Sequence, residues 1–211
     1  MATATTTGFP LPLRNALAEL VIAALDDAIA RDALTWLADL PSAPAPEPIR
    51  AALVRRHVVE PDGALLDVHR PHVDRTRAHA ARALRAAAAF RPAPGDAVDA
   101  ACGRAVALWN EGLFFEVHEV LEAEWKHTAG AVRQALQGLI QMGVALHHHA
   151  HGNARGARTL MHEGRTRLAA NAGALPALDV PGVLAATAPW EAALIAGTAT
   201  ADDPPPPLVA R

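Results

Sequence analysis

The residues of this chain best suited to chemistry are a histidine and a glutamate, His118 and Glu122. They stand four positions apart, and on an α-helix this spacing places the imidazole and the carboxylate on one face, a turn apart. Glu119 lies beside them in the segment FFEVHEVLEAEW. Such a pair suits a metal site, an acid/base pair, or a buried hydrogen bond without a catalytic role.

A second line of polar residues follows in the apolar segment QALQGLIQMGVALHHH. Its members recur at spacings of three, four and seven residues and are Gln134, Gln137, Gln141 and His148. If residues 128–130 link two helices in a tight hairpin, His118 and Glu122 lie level with Gln137 to Gln141. We therefore predict one internal polar cluster shared by two helices, because an isolated buried charge is too costly.

In the metal interpretation, His118 and Glu122 are two ligands on one helix, and His148, His147 or Glu119 completes the set. Zinc, iron and manganese accept such nitrogen and oxygen donors, so a divalent metal is the candidate cofactor. The chain lacks the HExxH pattern of zinc peptidases and the paired ExxH helices of di-iron bundles.

In the ligand-binding interpretation, the residues that contact a small molecule are Glu119, Trp125, Gln137 and Gln141. Its enzymatic form is hydrolysis, either metal-assisted or by acid/base chemistry in which Glu122 orients His118. The structural alternative is a satisfied polar network that fixes the register of the helices.

The run His147 to His149, followed by His151, invites a metal-site interpretation as well. Adjacent residues of a helix point about 100° apart, so three in a row cannot all face one ion. Only His148 is therefore kept as a candidate ligand from this run.

The elements that must position these residues are helices. Hydrophobic residues make up 51% of the chain, aromatic residues only 4%, and tyrosine is absent, a composition that favours helices over strands. We predict an all-α fold, a helical bundle with a smaller N-terminal helical part. The predicted helices span residues 14–40, 47–57, 71–90, 96–111, 113–127, 131–151, 153–171 and 181–197, from apolar periodicity and from Pro and Gly breaks.

The Pro-rich stretch after Phe90 is the predicted boundary between two parts. The N-terminal helical region is expected at 13–91, the bundle at 96–198, and flexible ends at 1–12 and 199–211. Gly152 and Asn153 are predicted to be a helix stop followed by an N-cap. Gly138 and Gly143, inside a helix, indicate close helix packing or room for a ligand.

Composition also limits the function classes. The single Cys102, the absence of a secretory leader pattern and the short apolar runs predict a cytoplasmic protein without a membrane span. A net charge of −3 argues against nucleic-acid binding through the global field. Residues 50–91 nevertheless hold nine arginines against four acids, so a nucleic-acid or protein interaction module is the competing hypothesis. The sequence predicts no oligomeric state.

Residues 107–168 resemble the domain of unknown function 309 family. The segments that carry the resemblance are WNEGLFFEVHEVLE from Trp109, then Trp125, LQGLIQ from Leu136, HGN from His151 and Gly156-Ala157. The chain departs from the family pattern at Val117 and Lys126 and keeps His118 and Glu122. The resemblance implies a small helical bundle with the His–Glu pair and the glutamine helix at its centre, and it implies no activity, substrate or cofactor.

Overall fold

The computed structural model describes residues 8–92, 94–200 and 205–210. Within these residues the secondary structure is nine α-helices and two short 3-10 helices, and extended pairing is limited to two isolated bridges. The all-α prediction is confirmed. The predicted flexible ends fall partly on 1–7, 201–204 and 211, which lie outside the described residues. The chain divides into two compact units, Met1–Ala89 and Phe90–Arg211.

The first unit contains four α-helices. They are α1 (Leu11–Ala24), α2 (Ala28–Asp39), α3 (Ile49–Arg55) and α4 (Val73–Ala89), and a 3-10 helix at Asp67–His72 precedes α4. The single helix predicted over residues 14–40 is broken between α1 and α2. Asp27 causes the break, because its side chain caps α2 by accepting the Ile29 N–H at 2.9 Å. Arg31 donates to the Ala24 carbonyl at 2.9 Å and so satisfies the end of α1.

The second unit contains the remaining five α-helices. They are α5 (Ala97–Asn110), α6 (Phe114–Trp125), α7 (Gly130–Ala150), α8 (Ala154–Ala170) and α9 (Val180–Ala196). Short links make consecutive helices neighbours, as in an antiparallel bundle. Asn153 caps α8 by accepting the Gly156 N–H at 3.0 Å, which confirms the predicted N-cap.

Helices α7 and α8 approach each other unusually closely. A Cβ atom on Gly138 would lie 2.8 Å from the Gly164 carbonyl oxygen, and one on Gly164 would lie 2.7 Å from the Gly138 carbonyl oxygen. Only glycine fits at either position, because the obstructing atoms are backbone. Close packing is therefore the role of Gly138, and it fixes which side of α7 faces α8.

No helix within the described residues is both long and apolar enough to cross a lipid bilayer.

Candidate functional site

Helix α6 packs an apolar face into the second unit and leaves its polar side chains at the edge. Val117 and Leu121 are fully buried. By contrast, His118 retains 28% of its side-chain exposure, Glu119 retains 41% and Glu122 retains 33%. These three side chains are thus partly buried by their neighbours and partly exposed to solvent.

His118 pairs with the carboxylate that follows it in the chain. Its Nδ1 atom lies 3.1 Å from Glu119 Oε1, and its ring stacks on Phe115 with centroids 6.3 Å apart. A carboxylate accepts, so Nδ1 carries the proton and Nε2 of the neutral ring is an acceptor. Nε2 makes no hydrogen bond to any part of the chain that the structure describes. The carboxylate that contacts the His118 ring is therefore that of Glu119, whereas helical spacing predicts Glu122.

Glu122 pairs along its own helix. Lys126 Nζ donates to Glu122 Oε2 at 3.0 Å. This hydrogen bond, with a smaller contribution from the charge of His118, holds the pKa of Glu122 below its usual value against the effect of burial. Glu122 is therefore ionised at neutral pH, one turn from His118.

The glutamine line of α7 does not join His118 and Glu122. Gln141 Nε2 donates to Glu163 Oε2 at 3.0 Å, and Gln141 Oε1 accepts from Arg167 Nε at 3.2 Å. Arg167 also donates to Gln134. Gln137 is half-buried and makes no hydrogen bond within the described residues. The predicted single cluster is divided because the close approach of α7 and α8 turns this line toward α8.

Trp125 and Arg133 secure the turn between α6 and α7. The Arg133 guanidinium lies 3.6 Å from the Trp125 ring centroid and donates to the Trp125 carbonyl at 2.7 Å. Trp125 is thus an anchor of the helical hairpin.

The histidines at positions 147–149 and 151 contact different groups. His148 Nδ1 lies 3.3 Å from Asn153 Nδ2 at the turn into α8, and His149 Nε2 lies 2.8 Å from the Thr200 carbonyl oxygen. The rings of His147 and His151 have centroids 4.2 Å apart. In residues 8–92, 94–200 and 205–210, no three His, Cys, Asp or Glu side chains are grouped so that they could hold a metal ion. The structure therefore does not bring His148 to His118 and Glu122.

Sequence reasoning missed a polar network between α8 and α9. Arg165 Nε donates to Glu191 Oε2 at 2.7 Å and Arg165 Nη1 donates to the Leu184 carbonyl at 2.6 Å, while His162 Nδ1 lies 2.7 Å from Glu191 Oε1. Burial acts to raise the pKa of Glu191, but the hydrogen bonds from His162 and Arg165 hold it below its usual value. The α8 residues lie at least 19 positions from their α9 partners, so no local spacing reveals the network.

Two arginines of the basic N-terminal region contact other segments of the first unit. Arg75 donates to the Gly8 carbonyl at 2.8 Å and lies over the Phe9 ring. Arg77 donates to the carbonyls of Asp39 and Leu40, each at 3.2 Å. Arg75 and Arg77 of α4 thus secure neighbouring segments of the first unit.

Comparison with known proteins finds a family resemblance in the segment that contains the helices just described. Residues 103–160 match a family described as Domain of unknown function (DUF309). No curated protein and no solved structure matches the chain. The segment that carries α6 and α7, with the candidate site on them, is therefore similar to the DUF309 family, as its sequence motifs predicted.

Proposed function

We propose that the edge of α6 bearing His118, Glu119 and Glu122 binds a small cationic ligand, either an ammonium group or a divalent metal ion held through the single imidazole nitrogen of His118. In this proposal Nε2 of His118 is the contacting atom, Glu119 is its positioning residue, and Glu122 supplies charge. The observation that carries the proposal is the His118–Glu119 contact of 3.1 Å, which occupies Nδ1 and leaves Nε2 of this partly exposed ring without a hydrogen-bond partner among the described residues.

The pairing of His118 with Glu119 is hard to explain by stability alone. A structural network joins different elements, as Arg167 joins α8 to two glutamines of α7. His118 and Glu119 are adjacent on one helix, so their contact fixes neither helix register nor a turn. What the contact does fix is the ring tautomer, and that property matters for binding through Nε2.

The local charge favours a cation. The helix edge around His118 carries two carboxylates, those of Glu119 and Glu122, and one ammonium group, that of Lys126. Histidines that bind metals commonly donate the other ring N–H to a carboxylate, the arrangement that Glu119 provides here. A hydrogen-bond donor such as an alkylammonium group suits the same acceptor.

Hydrolysis is the less supported alternative. His118 and Glu119 supply a base and its orienting group. Among the described residues the geometry around them presents neither a grouped metal site nor a nucleophile in contact with the ring. Binding therefore accounts for the site with fewer assumptions.

The test follows the side chain of His118 by NMR while Zn²⁺ or methylammonium is added to protein purified without a histidine tag. Zn²⁺ also binds other histidines, so the site-specific signal of the His118 ring nitrogens is the readout. We expect one of the two probes to shift Nε2 of His118, and we expect Glu119→Gln to weaken that response about tenfold or more. The matched control is Glu191→Gln, which removes the carboxylate from another His–Glu pair, that of His162.

The proposal fails if neither probe shifts Nε2 of His118. It also fails if Glu119→Gln and Glu191→Gln leave the same response at His118.

A further inference from the structure

The C-terminal segment of residues 205–210, PPPLVA, docks on the second unit. The Trp109 indole N–H donates to the Pro206 carbonyl at 2.7 Å, and Leu208 is only 1% exposed. This arrangement differs from the flexible end predicted over 199–211. Composition alone suggested a loose tail, since the run of prolines has no hydrophobic periodicity.

The contacts to this segment resemble peptide recognition. Asn110 Nδ2 donates to the Leu208 carbonyl, and the Leu208 N–H donates to Asn110 Oδ1, both at 2.9 Å. One amide side chain thus satisfies both main-chain polar groups of a single residue. The Asp179 N–H donates to the Val209 carbonyl at 3.1 Å, and Leu178 forms an antiparallel bridge with Ala210.

We propose that Trp109, Asn110 and residues 178–179 form a recognition groove for an extended proline–leucine segment of a partner protein, a groove that the chain's own residues 205–210 occupy in cis. The groove is on the second unit and is distinct from the edge of α6 that bears His118. Trp109 and Asn110 open the WNEG motif, to which the proposed cation site gives no role.

The bound segment indicates which partner sequence fits. The groove binds main-chain groups of Pro206, Leu208 and Val209, which suits an extended chain. Pro206 and Leu208 are the buried residues of the segment, whereas Val209 is 49% exposed and tolerates other residues. Prolines before the leucine keep the segment extended and lower the entropy lost on binding. The partner segment is therefore Pro-Pro-Leu followed by a variable residue.

The docked residues 205–210 also regulate the access of a partner segment to the groove. Eight residues, 197–204, connect α9 to the docked segment. A short link of this kind gives an effective concentration on the order of 1 mM, so a partner must compete with the tail. Any change that weakens the tail should open the groove.

The experiment uses full-length variants and a labelled peptide of the tail sequence DPPPPLVAR. Leu208→Asp removes the buried anchor from the tail, and Val209→Asp is the matched control because it adds the same charge at the exposed neighbour. We expect the Leu208→Asp chain to bind the peptide at least about fivefold more tightly than the Val209→Asp chain in fluorescence anisotropy. Adding Asn110→Leu to the Leu208→Asp chain should weaken binding by about tenfold or more.

Equal peptide affinity for the Leu208→Asp and Val209→Asp chains overturns the proposal, as does binding that is indifferent to Asn110→Leu. A doubled mass in light scattering that Leu208→Asp abolishes would make a second copy the partner, and it too overturns the proposal. Asn110→Leu alone provides a check if Leu208→Asp does not fold. It should speed hydrogen exchange at the Leu208 amide while the Leu113 amide, bonded to the Leu108 carbonyl, keeps its rate.

Discussion

Replacing Gly138 with alanine tests the close approach of α7 and α8, which directs the glutamine line away from His118. The added Cβ would lie 2.8 Å from the Gly164 carbonyl oxygen and 2.9 Å from the Leu168 backbone nitrogen. Neither atom moves by a rotamer change, so the two helices must part by about half an ångström in a close-packed interior.

The magnitude follows from two opposing terms. Overpacking of this kind costs about 1–3 kcal/mol, and alanine gains about 1 kcal/mol over glycine inside a helix. We therefore expect Gly138→Ala to lower the free energy of unfolding by up to about 2 kcal/mol. The matched control is Gly143→Ala on the same helix, where the new Cβ meets Val117 Cγ1 at 3.5 Å and the Trp109 ring at 3.6 Å, ordinary contact distances. That variant should be more stable than the wild type by up to about 1 kcal/mol.

Urea unfolding measures both variants, and hydrogen exchange of the α7 amides assigns the change to the second unit. Replacing glycine with alanine is thus predicted to lower the free energy of unfolding at position 138 and to raise it at position 143. A Gly138→Ala protein as stable as the Gly143→Ala protein would refute the close approach, and with it the explanation of why Gln141 contacts α8.

Two further predictions concern titratable groups. Glu191 has a pKa below its usual 4.5 in the folded chain, so its contribution to stability is present above that value and is lost as the pH falls through the folded pKa. Unfolding experiments should accordingly show Glu191→Gln about 1–2 kcal/mol less stable than the wild type at neutral pH, with the difference shrinking as the pH falls below the usual pKa of a glutamate; a pH-independent difference would contradict this. Burial, aided by Asp99 and Asp96, raises the pKa of the Cys102 thiol to about 12. A disulfide reagent at about pH 8 should modify it only as fast as the chain unfolds, and rapid labelling of the native protein would exclude the buried thiol.

Local signals in the sequence were sufficient for most of the fold. Gly152 and Asn153 mark the end of α7 and the cap of α8, and the structure shows both within a residue of the predicted positions. The break at Asp27 was missed because apolar periodicity continues across it. Only the capping geometry of that side chain separates α1 from α2.

The candidate site was predicted in part. Spacing placed His118 and Glu122 on one helix edge, and both lie there. It did not identify Glu119 as the partner of His118, because residues one position apart on a helix ordinarily diverge. The direction of Gln141 depends on a third helix, and sequence pattern carries no information on where α8 crosses α7. The docked tail escaped prediction because its contacts to Asn110 span 98 positions.

The tautomer of His118 directly tests the proposal that Glu119 positions this ring to bind a cation through Nε2. A long-range ¹H–¹⁵N correlation spectrum at neutral pH distinguishes a protonated Nδ1 from a protonated Nε2. We predict that Nδ1 of His118 carries the proton in the wild type and that this preference weakens in Glu119→Gln. A ring protonated only at Nε2, unchanged by the Glu119 substitution, would contradict it.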